Sequence, residues 1–139
     1  MKRQSSVLLA LLIAALASAC ASDGGMRDAE KLAMYQQHAD VPLKNIPYNN
    51  NPIGWESVDG EHLLLTVTPR NVYLMKLSGP CLDYNSGSPS IEISSQVGRV
   101  SAGFDRVTIG DPRLTCRIEE IRKVDMVSYR KARDGAGSS

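Results

Sequence analysis

Two seven-residue runs, His62–Thr68 (HLLLTVT) and Asn71–Leu77 (NVYLMKL), stand on either side of Pro69-Arg70. Both are rich in β-branched, aromatic and aliphatic residues, and two residues between such runs fit a tight turn, so they predict a β-hairpin. The surroundings point the same way. Pro42, Pro47 and Pro52 punctuate the chain before the runs, Asn49-Asn50-Asn51 reads as a loop, and no long helical period follows Pro42. Gly79-Pro80 ends the second run just before Cys81, and 85–89 (NSGSP) is made of turn formers. Ile91 and Ile93 alternate with Glu92 and Ser94, Val107 and Ile109 alternate with Arg106 and Thr108, and 115–118 offers Cys116 and Ile118 to one face. The spacing from Ile118 to Ile121 breaks the period of two, which calls for a bulge near Glu119-Glu120 or a helical turn there. The fold expected is mainly β: a small antiparallel sheet or partly closed barrel of about six to eight short strands over 41–128, with the hairpin at its centre.

The N-terminal end carries an address. Residues 1–19 (MKRQSSVLLALLIAALASA) have a positive start at Lys2 and Arg3, an apolar run over 7–16 and small residues just before Cys20, the layout of a secretory signal peptide. An apolar run of about ten residues is too short to cross a bilayer, which needs about 20. Two processing routes fit. Ala17-Ser18-Ala19 satisfies ordinary signal peptidase, and Ala17-Ser18-Ala19-Cys20 resembles a bacterial lipobox, with Ala17 where Leu is usual. The position of Cys20 favours lipid attachment there, anchoring the mature chain to a membrane by its acyl chains. In Gram-negative lipoproteins Ala21 in place of Asp implies sorting to the outer membrane, on the periplasmic face.

With the leader gone the chain keeps 14 basic and 15 acidic residues, so no strongly basic face is available for nucleic acid. The remaining roughly 120 residues suffice for one small core. Residues 27–39 (RDAEKLAMYQQHA) are good helix formers without Gly or Pro but make only a weak apolar stripe. Residues 20–40 therefore read as a lipid-anchored tether carrying a short helix, which either lies loosely on the domain or forms part of the tether; from Cys20 to Pro42 the extended reach is on the order of 75 Å. From Arg130 onward (RKARDGAGSS) the chain offers no core residue, and 129–139 reads as a disordered tail.

The order of these pieces resembles a family of small bacterial lipoproteins catalogued only as a domain of unknown function. The residues that carry the resemblance are Trp55, the strand ending LLLTV, VYLMKLSGPC with Tyr73, Leu74, Leu77 and Cys81, AGFDRV with Asp105 and Val107, and CRIEEIRKVD with Cys116, Ile118, Ile121 and Asp125. It spans about 41–125 and implies a secreted or lipid-anchored, disulfide-bonded domain with no assigned activity. Cysteine arithmetic agrees: with Cys20 given to lipid, Cys81 and Cys116 remain as an even pair in an oxidising compartment.

Candidate sites are few. Asp105 shares the phase of Val107 and Ile109, so its carboxylate faces the core, as a site acid or as a turn cap paired with Arg99 or Arg106. Trp55 is a candidate ligand platform, although a lone Trp beside a single Phe more often fills the core. His38 and His62 read as surface residues, since no spacing supplies the further ligands a metal needs. Arg122, Lys123, Arg130, Lys131 and Arg133 form a loose basic end that reads as a solvated face. No GxSxG, HExxH, P-loop or dinucleotide fingerprint occurs, and no cofactor is implied. The function expected is a non-enzymatic binding or structural accessory of the cell envelope with an envelope protein as partner. The alternative is a small envelope enzyme or ligand carrier using a pocket near Trp55 and Asp105.

Overall fold

The computed structural model describes residues 27–83, 90–110 and 113–137. The leader, Cys20 and the 85–89 loop lie outside the described residues. Helix α1 (Asp28–Gln37) is followed by eight strands: β1 (Asn45–Pro47), β2 (Gly54–Ser57), β3 (His62–Thr68), β4 (Asn71–Leu77), β5 (Ile91–Ile93), β6 (Arg99–Ser101), β7 (Arg106–Ile109) and β8 (Leu114–Lys123). Helix α2 (Met126–Ala136) closes the described chain. Six strands form an antiparallel sheet in the order β2-β3-β4-β8-β7-β5, and β1 pairs with β6 as a separate ribbon. The fold is mainly β, as the sequence predicts.

The β3–β4 hairpin pairs His62 with Lys76 and Leu65 with Tyr73, turning at Pro69-Arg70. In β3 three consecutive leucines, Leu63, Leu64 and Leu65, are buried, because this part of the sheet is covered on both faces. On one face Leu63, Leu65, Met75, Leu77, Val107, Ile118 and Ile121 pack beneath Ile46, Tyr48 and Val100 of the ribbon and its flank. On the other, Leu64, Val72 and Leu74 pack with Val58 and Val124 against Tyr35 of α1 and Tyr129 of α2. The far half of that second face is different. It carries Arg106, Arg117 and Glu92, all exposed.

The break in period between Ile118 and Ile121 is a bulge. Lys76 pairs with Glu120 and Leu77 with Ile118, leaving Glu119 as the extra residue, so that Ile118 and Ile121 both reach the same core. Cys81 and Cys116 are joined in a disulfide with their Cα atoms 6.2 Å apart. It ties the segment leaving β4 to β8 beside the end of that ladder.

The sequence and the structure part company at both ends of the domain. Helix α1 is not a free tether: Tyr35 is buried and its ring stacks on Tyr129 with centroids 4.3 Å apart. Its next residues join the sheet, Ala39 bridging to Val124 and the Asp40 N–H donating to the Lys123 carbonyl at 2.8 Å. The stretch expected to be a disordered tail is helical through Ala136. Asp125 starts it, accepting from the Val127 and Ser128 N–H groups at 3.0 and 3.1 Å. The missing core residue is Tyr129, a single aromatic in an otherwise polar stretch.

Candidate functional site

Asp105 is the one buried charged residue among the described residues, 2% exposed. It sits at the entry to β7, after a tight turn in which Gly103 takes φ 79°. Its Oδ2 accepts from the Ser101 N–H at 2.6 Å, and its own N–H donates to the Ser101 carbonyl at 2.9 Å, closing the turn on itself. Its Oδ1 accepts from the Ser94 hydroxyl at 2.7 Å, and the Ser94 oxygen in turn accepts from the Arg106 N–H at 2.9 Å. The backbone is bound to β8 as well, the Ile118 N–H donating to the Asp105 carbonyl at 2.9 Å. One residue therefore joins the end of β5 and the end of β6 through its carboxylate, and the start of β7 to β8 through its backbone.

The expected arginine partner is absent from this arrangement. The Arg99 guanidinium instead donates to the Asn45 side chain across the ribbon. Arg106 contributes its backbone N–H through Ser94, because its side chain points to the face opposite Val107. A hydroxyl and an amide satisfy the carboxylate in place of an ion pair. Asp105 lines an open depression of about 410 Å3 with Ser94, Ser95, Gln96, Gly103, Phe104, Arg106 and Arg117.

Trp55 is elsewhere. It lies on the edge strand β2 opposite Leu65, half-buried against the margin of the core, and does not line the Asp105 depression. The alternative reading of the sequence pairs Trp55 and Asp105 in one pocket; the structure separates them, with Trp55 on the edge strand β2 and Asp105 at the start of β7, beyond β3, β4 and β8.

The histidines are not surface groups in the simple sense expected. His62 is half-buried with its Nδ1 2.9 Å from Asp59, and Asp59 also accepts from the Glu61 and His62 N–H groups at 2.8 and 2.7 Å. Burial alone would raise the Asp59 carboxyl. The Glu61 N–H and the His62 ring and N–H outweigh it and hold the group below the usual carboxylate range. His38, half-buried, ends α1 edge-on to Tyr129. Among the described residues no group of three or more His, Cys, Asp or Glu is placed to hold a metal ion.

The sequence gives no hint of a cluster beneath the helices. The Tyr35 hydroxyl donates to Glu56 at 2.7 Å, and Lys31 approaches the same carboxylate at 3.4 Å. Burial first, then Tyr129 and Glu56, push the Tyr35 hydroxyl far above its ordinary value, so it remains a neutral donor. The basic end is divided rather than continuous. Arg122 pairs with Glu120 at 2.7 Å, and Arg133 pairs with Asp134 and lies 5.9 Å over the Tyr129 ring. Lys123 and Arg130 line a shallow depression whose charges include Asp40 and Asp125.

In class this is a disulfide-stapled β domain with a helix pair on one face and a structural carboxylate at the margin of its sheet. The chain belongs to the family of unknown function DUF6491, whose model matches residues 2–139. No curated protein and no solved structure matches it.

Proposed function

We propose that this chain is an envelope lipoprotein, cut before Cys20, lipid-attached there and held on the periplasmic face of the outer membrane. Its β domain acts as a non-enzymatic binding or structural accessory for another envelope component. The observation that carries this reading is the Cys81–Cys116 disulfide, because such bonds persist outside the reducing cytosol. The Ala17-Ser18-Ala19-Cys20 sequence supplies the matching anchor. Binding is preferred to catalysis because both oxygens of the buried Asp105 are spent on the Ser94 hydroxyl and the Ser101 amide, so that it is not a poised base.

A second reading, a ligand carrier, is favoured by one feature: the depression of about 410 Å3 with Asp105 in its wall. In that reading Phe104, not Trp55, is the aromatic contact.

Growth with labelled fatty acid tests the anchor. Wild-type protein should take up label and Cys20→Ser should not. An unlabelled wild type recovered as free periplasmic protein would overturn lipidation. Crosslinking in intact cells then separates accessory from carrier, since an accessory yields a discrete protein adduct.

A further inference from the structure

Arg106 of β7 and Arg117 of β8 are direct cross-strand partners. The next pair, Val107 and Cys116, turns inward, so the two arginine side chains leave the sheet on the same outer face. Like charges directly opposite one another destabilise a ladder. Nothing in the sheet needs two arginines at this pair for packing, since both residues are exposed.

The local acids do not cancel the charge. Glu119 lies 3.5 Å from Arg117 but is shared with Lys76 at 3.9 Å. Among the described residues no carboxylate forms an ion pair with Arg106. Asp105 is close in sequence, yet its oxygens are taken by Ser94 and Ser101. The depression is therefore lined by two exposed guanidiniums and by one carboxylate, that of Asp105, which is buried and held by Ser94 and Ser101. Phe104, the chain's one phenylalanine, stands 62% exposed at the same depression.

We infer that this depression is a binding site for an oxyanion of the phosphate class, bridged by the Arg106 and Arg117 guanidiniums, with the apolar part of the ligand resting on Phe104. Two planar forks and the Gln96 amide present more donors than the two oxygens of a carboxylate can accept, whereas a phosphate has oxygens for all of them. A bridging anion also turns the unfavourable pair into a favourable one. The chemistry is common to a free phosphate ester and a phospholipid headgroup. The inference goes beyond the anchoring reading and does not depend on Cys20.

The test is a titration of the full chain with inorganic phosphate at constant ionic strength, following the arginine Nε–H signals by NMR. The Arg106 and Arg117 signals should shift saturably with phosphate and not with chloride. Arg106→Gln and Arg117→Gln should each weaken binding roughly tenfold, the loss of one charge-assisted pair. In phosphate-free buffer Arg106→Gln should melt no lower than wild type, because a like-charge neighbour has been removed. Vesicles containing phosphatidylglycerol distinguish the sources: retention that depends on Arg106 and is competed by phosphate assigns the headgroup, and retention indifferent to Arg106 assigns the soluble ester. Unshifted arginine signals at tens of millimolar phosphate, or a clear drop in the melting temperature of Arg106→Gln without phosphate, would overturn the proposal.

Discussion

Asp105 shows how a residue that looks chemical from its position can be consumed by architecture. Its phase with Val107 and Ile109 made burial legible in the sequence, but its partners were not, because Ser94 and Ser101 come from separate strands whose approach depends on the whole sheet. The same is true of Arg106 and Arg117, eleven positions apart in the chain, whose opposition follows from the β7–β8 register. Removing the charge on Asp105 tests the structural role. Asp105→Asn keeps the shape but weakens two charge-assisted bonds and turns an amide donor toward one of two existing donors. The expected loss is about 2 kcal/mol in the unfolding free energy, measured by denaturant titration. Ser94→Ala should cost a similar amount, and the double variant less than the sum, because both substitutions break one network. Full additivity would mean that the two residues act separately.

At the scale of elements, the sequence was most informative where periodicity alone decides. The β3–β4 hairpin follows from two apolar runs and a turn, and the spacing of Ile118 and Ile121 calls for a bulge or a helical turn, of which the β4–β8 register takes the bulge at Glu119. Both are local consequences of which residues must be buried. The helices were harder to read. A stripe as weak as that of α1 becomes a docked face through buried Tyr35 with Leu32 and Met34 beside it, and α2 docks through Tyr129 with Met126. The start signal for α2 was nevertheless present, since Asp125 three places before Ser128 is an N-cap pattern that the polar residues after Arg130 obscured. The structure makes α2 part of the fold and not an appendage. Tyr129→Ala removes the ring that stacks on Tyr35 and covers Leu64 and Leu74, and should lower stability by about 3 kcal/mol. Calorimetry checks it: an unchanged melting temperature would show that α2 is dispensable, as the tail reading supposed.

For the molecule as a whole, the main sheet has two unequal halves meeting at one seam. The β2-β3-β4 half is sandwiched between core and helices, whereas the β8-β7-β5 half is covered on one face and exposes Arg106, Arg117 and Glu92 on the other. The seam is the β4–β8 ladder, which runs from Tyr73 opposite Lys123 to Leu77 opposite Ile118 and is interrupted near its end by the Glu119 bulge. A ladder weakened at one end opens there first. The disulfide lies at that end, with Cys81 four residues beyond Leu77 and Cys116 two before Ile118. The two cysteines are 35 positions apart, and closing a loop of that size restricts the unfolded chain by about 4 kcal/mol on the chain-entropy account. That is a large part of the net stability of a domain this small. Cys81→Ser and Cys116→Ser should therefore destabilise alike and raise protease sensitivity. Hydrogen exchange gives the test its spatial sense. Reduction should speed exchange first at 78–82 and 115–118, while the β3–β4 hairpin beneath the helices keeps its protection. Uniform loss of protection would contradict an opening seam, and two free thiols in peptides from non-reduced protein taken from cells would remove the staple from the account altogether.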